Sequence, residues 1–287
     1  MNIDSKPQHL MNPIVFRLIR NFIYKHSGLW FDDNKLHFVQ NRLSKRLKAL
    51  ELHSFHRYYY YLLYDRNSQR ELNEIIDSLT TNETYFFREK NQLQAFSEEI
   101  LPRLREEKKA DPQPGVNIWS AGCSTGEEPY TIAMLIMESR LFPGWDINIT
   151  ATDISSRVLS VGRRGIYSRS SFRAANAYFI NKYFSHQDFG FRINDDVKRL
   201  VNFARINLLD RKRMDLIRDI DVLFCRNVVI YFDLAAKRKV MDAFYDCLKP
   251  GGFLLLGHAE SLVNVSTKFD LTHLQHDLVY QKPDVQL

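Results

Sequence analysis

The chain has 287 residues and a mass of 33.9 kDa, enough for one large domain or two modest ones. It is 45% hydrophobic and 26% charged, the balance of an ordinary globular protein, and no apolar run approaches the roughly 20 residues that span a bilayer, which excludes a helical membrane protein. A net charge of +6 and a pI near 9.1 favour an acidic partner, either nucleic acid or an acidic protein surface, without choosing between them.

The opening "MNIDSKPQHLMNP" lacks the basic-then-apolar pattern of a secretory signal. Cys123, Cys225 and Cys247 are spaced neither as a metal motif nor as a disulfide framework, so a reducing cytoplasmic setting without a metal is expected. From Pro13 to about Leu79 apolar residues recur at helical spacing, broken by "HSGLWFDDNK" and "ELHSF", which predicts a small bundle of short helices. In "NKLHFVQNRLSKRLKAL", Leu36, Val39, Leu43, Leu47 and Leu50 form an apolar stripe. Lys35, Arg42, Lys45, Arg46 and Lys48 fall mostly on the opposite face, with no acid between them. A solvated face is the ordinary outcome for such residues. Unpaired charge there would instead suit docking on acidic helices, with Arg42, Lys45 and Arg46 as the candidate contacts. In "FHRYYYYLLYD", Phe55, Tyr59 and Leu62–Leu63 are expected to pack the bundle rather than to stack on bases.

A further amphipathic helix is predicted over Leu93–Arg105, followed by the charged linker "EEKKADPQPGV". Beyond it strands and helices alternate. "VNIWSA", "DINITATD", "DIDVLFCRN" and "GGFLLLGH" read as strands, with "EEPYTIAMLIMESR", "SSRVLSVGRRG" and "AAKRKVMDAFYDCL" as helices. "FDLTHL" and "LVYQK" resemble a terminal hairpin. The alternation predicts an α/β fold with a parallel sheet, helices on both faces and ligands at the carboxyl ends of the strands. The rhythm breaks near Gly162–Val201, which suits an insertion. The expected layout is an all-helical domain over 1–82, a linker and helix over 83–115 and the α/β domain over 116–287, with an inserted subdomain at about 162–203.

In "SAGCSTGEEPY", Gly122 and Gly126 fit the first strand-to-helix turn, where glycine lets a nucleotide approach the backbone. Glu127 and Glu128 occupy the first helical turn. Either alone would serve as helix-end stabilisation, but together they would repel a pyrophosphate. A cationic nucleoside without phosphates fits better, and S-adenosylmethionine is one. Asp153, at the end of the second strand, can accept from both ribose hydroxyls. Its ordinary alternative is an N-cap for "ISSRVLSV". Asn227 and Tyr231 fall at the same rim; Asn227 could equally be a turn residue, and Tyr231 an ordinary buried aromatic.

"TTNETYFFRE" at 80–89, "SAGCSTGEEPYTIA" at 120–133, "NLLD" at 207–210, "CRNVVIYFD" at 225–233 and "LKPGGFLLLGHAES" at 248–261 together resemble the bacterial chemotaxis receptor methyltransferases, the CheR family. The match runs through nearly the whole chain in the family's order. It implies a Rossmann-like S-adenosylmethionine methyltransferase sheet with an N-terminal helical domain and a small inserted β subdomain. The activity implied is methyl transfer to glutamate side chains of a chemoreceptor, with S-adenosylhomocysteine as product. By the matching motifs, Asn82, Thr84 and Arg88 would contact the cofactor from the linker side. Glu128 would hold its charged amino-acid end or sulfonium region and Asp153 its ribose, while Asn207, Leu208, Asn227 and Val228 would line the adenosine side. Arg88 and Tyr231 would face the reacting centre. In some members the insertion grips a receptor's C-terminal tether, but "KYFSHQDFGFRINDDVKRLV" lacks the glycine-rich turn of those members.

A monomer is expected, cytoplasmic and recruited to receptor arrays, binding receptor helices and neither nucleic acid nor membrane directly. Two other functions fit parts of the sequence. The basic balance suits a nucleic-acid methyltransferase, although no base-reading motif or RNA-binding module is evident. A non-catalytic adaptor would bind the same cofactor or receptor without transfer.

Overall fold

The computed structural model describes residues 10–80 and 83–284. These form two compact units, one of residues 10–80 with Tyr231–Asp233, the other of residues 83–230 and 234–284.

The first unit holds four helices: α1 (Pro13–Ser27), α2 (Leu36–Ala49), α3 (Phe55–Tyr64) and α4 (Ser68–Leu79). Their ends follow from local chemistry. The Asn12 side chain accepts from the amide of Ile14, Pro13 opens α1, and Gly28 ends it at φ +78° with its amide on the Tyr24 carbonyl. Ser54 caps α3 through the amide of Arg57. One core gathers Phe16, Ile19 and Ile23 with Val39, Leu43, Leu47, Phe55, Leu62 and Ile75. Leu36 and Leu50, the ends of the α2 stripe, are only partly buried against it. On α3 the fully buried tyrosine is Tyr58 rather than Tyr59, and Leu63 is exposed.

The basic face of α2 is not uniform. Arg42 and Lys45 are exposed, and the Arg42 guanidinium lies over the Phe38 ring. Arg46 departs from the expected docking set. Its Nε and Nη2 donate to the two carboxylate oxygens of Glu71 at 2.9 and 2.7 Å, and Nη1 reaches Glu74 at 3.2 Å. Glu71 is buried and also accepts from Tyr58 at 2.6 Å. The physical reason is that Glu71, one turn into α4, is buried, and a buried carboxylate without a paired cation is costly. The acid that pairs Arg46 thus comes from another helix.

The second unit opens with α5 (Lys90–Ala95), a π-helical turn over Phe96–Ile100 and α6 (Leu101–Lys108). The predicted helix is there, longer at both ends and with one wide turn inside it. The rest alternates: β1 (Gly115–Ala121), α7 (Glu127–Ser139), β2 (Asp146–Asp153), α8 (Ser156–Arg164), β3 (Ile166–Tyr167), α9 (Ala177–Tyr183), β4 (Phe184–Gln187), β5 (Gly190–Ile193), α10 (Asp195–Lys198), β6 (Val201–Arg205), α11 (Arg211–Met214), β7 (Ile220–Cys225), α12 (Leu234–Cys247), β8 (Leu248–Leu256), β9 (Asp270–His273) and β10 (Leu278–Gln281).

Seven strands make one sheet in the order β6-β2-β1-β7-β8-β10-β9. The first five run parallel, and the terminal β9–β10 hairpin adds antiparallel at the edge. The chain starts at β1, moves outward through β2 to β6, then returns to β7 on the other side of β1. Ligands bind at such a switch point, beyond the carboxyl ends of the strands. β7 is buried along its whole length, as strands covered on both faces are. β3, β5 and β4 form a separate antiparallel sheet within the inserted stretch. The edge strand β6 was not anticipated from sequence, because "VNFAR" is short, partly exposed and follows the irregular insertion directly.

Candidate active site

At the carboxyl end of β1 the chain turns at Gly122, φ +81°. The amides of Gly122 and Cys123 both donate to the Thr152 carbonyl, at 2.8 and 2.9 Å. A Cβ on Gly122 would sit 2.3 Å from Cγ2 of Val228, so the loop after β7 lies directly on the turn after β1. Asp153, at the end of β2, accepts from the amide of Ser124 at 2.9 Å and from that of Ser155 at 2.9 Å, one on each oxygen. It joins the two loops. The N-cap of α8 is Ser155, whose hydroxyl accepts from the amide of Val158, which removes the capping alternative for Asp153.

The two glutamates of α7 part company. Glu127 is buried, accepts from Thr125 at 2.6 Å and Ser171 at 3.1 Å, and ties the turn to the 3₁₀ segment Arg169–Phe172. Burial raises its pKa, against the pull of those two hydroxyls. Glu128 points elsewhere. Ser120 donates to one of its oxygens at 2.7 Å, and Nε of Arg226 lies 3.0 Å from the other. Burial raises the pKa of Glu128 too, opposed chiefly by Arg226 and then by Ser120.

Arg226 is the centre of this group. Its Nη2 donates to the Arg88 carbonyl at 2.7 Å, and its Nε lies 3.7 Å from Glu89. One buried guanidinium therefore faces two carboxylates. Four polar atoms here are buried without a hydrogen-bond partner among the described residues: Nε and Nη1 of Arg226, Oε2 of Glu89 and Oδ1 of Asn227, the Nε being in ion-pair reach of Glu128 but outside hydrogen-bond geometry. Such atoms are costly unless a ligand completes them.

Of the other predicted residues, Thr84 and Arg88 are half-buried, and Nη1 of Arg88 donates to the Glu83 carbonyl at 3.0 Å. Asn82 lies outside the described residues. Asn207 and Leu208 follow β6: the Asn207 side chain accepts from the amide of Leu209, and Leu208 is buried. Asn227 sits at φ +60°. Tyr231 belongs to the helical unit, where its ring packs on the core and its carbonyl accepts from the amide of Trp30 at 3.0 Å. Arg42, Lys45 and Arg46 lie on α2 of that same unit.

Two residues escaped the sequence reading. Arg226 had a signal, a cation directly abutting an all-buried strand. Glu260 had little: it follows β8 in "GHAES" and accepts from the amides of Asn227, Val228, Ile230 and Gly257 at 2.8, 2.9, 3.3 and 2.8 Å. Burial raises its pKa against those four donors.

The turn amides of Gly122, Cys123 and Ser124 are engaged by Thr152 and Asp153, and carboxylates flank them. A pyrophosphate would have to displace those bonds and would meet carboxylates beside them. A nucleoside bearing a cationic amino-acid tail fits the same donor set, with Glu128 for its charge and the Asn227 Oδ1 acceptor for its polar edges. Among the described residues no group of three or more His, Cys, Asp or Glu could hold a metal ion, and no helix is long and apolar enough to cross a membrane. The Rossmann-like sheet with this site defines a methyltransferase of the S-adenosylmethionine-dependent class.

The chain matches two family models in tandem: "CheR methyltransferase, all-alpha domain" over residues 14–80 and "CheR methyltransferase, SAM binding domain" over residues 82–278. It is 37% identical over 285 residues to chemotaxis protein methyltransferase 2 of Vibrio cholerae serotype O1, covering 95% of this chain and 96% of that one. Against the chemotaxis protein methyltransferase of Borreliella burgdorferi it is 37% identical over 251 residues, with 86% and 87% covered. Against that of Salmonella typhimurium it is 36% identical over 263 residues, with 89% and 86% covered. The chain belongs to the CheR methyltransferase family, as its motifs indicated.

Proposed function

We propose that this protein transfers the methyl group of S-adenosylmethionine to glutamate side-chain carboxylates on the cytoplasmic helices of chemoreceptors, forming glutamyl methyl esters. The observation that carries this reading is the largely buried carboxylate of Glu128, held by Ser120 and only part-neutralised by Arg226 beside Glu89. It suits a cationic, phosphate-free ligand. The relatives' names, chemotaxis protein methyltransferases, supply the biological setting.

S-Adenosylmethionine supplies an electrophilic methyl group on its sulfonium sulfur. The acceptor carboxylate, with an ordinary pKa of about 4.3, is already ionised near neutral pH, so no side chain of this protein has to remove a proton. The residues must align and desolvate, and ordering of that kind contributes about 7–11 kcal/mol. Glu128 would hold the ammonium end. Asp153, fixed by the amides of Ser124 and Ser155, would take the ribose hydroxyls. Asn207, Leu208, Asn227 and Val228 would line the adenosine side, and Asn82, Thr84 and Arg88 would close it from the linker side. The planar fork of Arg88 would orient the incoming carboxylate. The protein would act as a cytoplasmic monomer at receptor arrays.

The test is Arg88→Ala with receptor-containing membranes as substrate. Turnover should fall by about a hundredfold, the cost of misaligned reactants, with the melting temperature little changed and the residual label still on glutamyl residues in peptide maps. Unchanged turnover would remove Arg88 from the mechanism, and label found on nucleic acid would replace the substrate.

A further inference from the structure

We propose that Glu260 is a positioning residue of the cofactor site: it pins the loop after β7 so that Asn227 and Val228 are presented to the adenosine half of S-adenosylmethionine. The inference rests on the reading of those two residues as adenosine-side contacts, and deepens it.

The geometry is a convergence. One oxygen of Glu260 accepts from the amides of Asn227 and Gly257, both at 2.8 Å, and the other from Val228 at 2.9 Å and Ile230 at 3.3 Å. The carboxylate is itself held by a tight turn, since its own amide donates to the Gly257 carbonyl at 2.8 Å. Charge-assisted bonds of this kind are the stronger ones. They hold Asn227 at φ +60°, a conformation that an L residue keeps only where its surroundings over-determine it.

Those surroundings are closed on two sides. A Cβ on Gly257 would lie 2.9 Å from the Asn227 amide nitrogen and 3.0 Å from its Nδ2, and a Cβ on Gly122 would strike Val228. The loop is wedged between two glycines and fastened by one carboxylate. Its product is an acceptor with nothing to accept: Oδ1 of Asn227 is buried and has no hydrogen-bond partner among the described residues. Such an atom is expected where an external donor completes it, and adenosine brings both an amino group and hydroxyls. A turn needed only for folding would have no cause to leave that oxygen unsatisfied.

Calorimetric titration of the full chain with S-adenosylhomocysteine tests this through a double-mutant cycle. Glu260→Gln, which keeps the volume but puts an amide NH₂ where one acceptor oxygen was, should weaken binding about tenfold, the loss expected for charge-assisted hydrogen bonds, with little change in melting temperature. Asn227→Ala should weaken it comparably. The double variant should be no more than about twofold worse than the poorer single one, because Glu260 acts through Asn227. Wild-type affinity in either single variant, or fully multiplying losses in the double, would overturn the proposal. Should Glu260→Gln fail to fold, Gly257→Ala takes its place, since its Cβ would press on both the Asn227 amide and the Glu260 oxygen that accepts from it, and the same criteria apply. Failure of the wild-type chain itself to bind S-adenosylhomocysteine would instead overturn the cofactor reading, so the two failures are distinct.

Discussion

Adjacent glutamates at the start of α7 do different work. Glu127 accepts from two hydroxyls and secures the turn, whereas Glu128 accepts from Ser120, pairs with Arg226 and is the proposed partner of the ligand's ammonium. Both are legible in sequence as acids in a first helical turn. Their division of labour is not, because it depends on Ser171 and Arg226 from distant parts of the chain. The same holds for Asn227 and Glu260: the asparagine lies in a recognisable motif, while the residue that holds it has no local pattern. A pH dependence follows from Glu128. Burial raises its pKa above the ordinary carboxylate value, so its carboxyl takes up a proton at a pH where a free glutamate remains ionised. For folding, a raised carboxyl pKa contributes stability that is present below the unfolded value of about 4.3 and is lost as pH rises through the folded one. For binding the sign is opposite, because the ligand's ammonium group needs the ionised form. Affinity for S-adenosylhomocysteine should therefore fall as pH is lowered from about 8 toward about 5, and Glu128→Gln should bind more weakly with a flatter profile. Calorimetry across that range checks it. A profile equally steep in the glutamine variant would assign the dependence to another group.

On the scale of single elements, periodicity carried most of the information. The apolar stripe of α2 is buried at Val39, Leu43 and Leu47, and the alternation of strands and helices beyond Gly115 is the observed one. What failed did so for physical reasons. β6 is short and on an edge, the π-helical turn at Phe96–Ile100 has no local signature, and Tyr58, which donates to the buried Glu71, is buried more deeply than Tyr59, which packs on the core in part as expected. Glu71 also decides the fate of the basic face. Arg46→Ala would leave a buried carboxylate without its cation and should cost the helical unit about 3 kcal/mol, measurable as a lower urea midpoint. Arg42→Glu with Lys45→Glu, both at exposed positions, should leave that midpoint within about 0.5 kcal/mol. If α2 docks on acidic receptor helices, the same pair should slow receptor methylation at low salt and matter less at high salt. Unchanged methylation in the low-salt assay would end the docking proposal, and it would do so without the confounding loss of fold that an Arg46 reversal brings.

For the molecule as a whole, charge and fold narrow the function by different routes. The excess of positive charge only asks for an acidic partner. The fold supplies a site at the switch between β1 and β7, and the carboxylates there suit the proposed cofactor. Neither reveals the acceptor atom, and the account stands on that atom being a carboxylate oxygen. A carboxyl methyl ester differs from a methylated base or amine in one accessible property, its lability to mild alkali. The most direct measurement is therefore to supply methyl-labelled S-adenosylmethionine with receptor-containing membranes, isolate the protein fraction and treat it with dilute base. The account predicts that the label leaves as volatile methanol and that a receptor lacking its acceptor glutamates takes up none. Label that resists base, or that follows nucleic acid instead of protein, would contradict it.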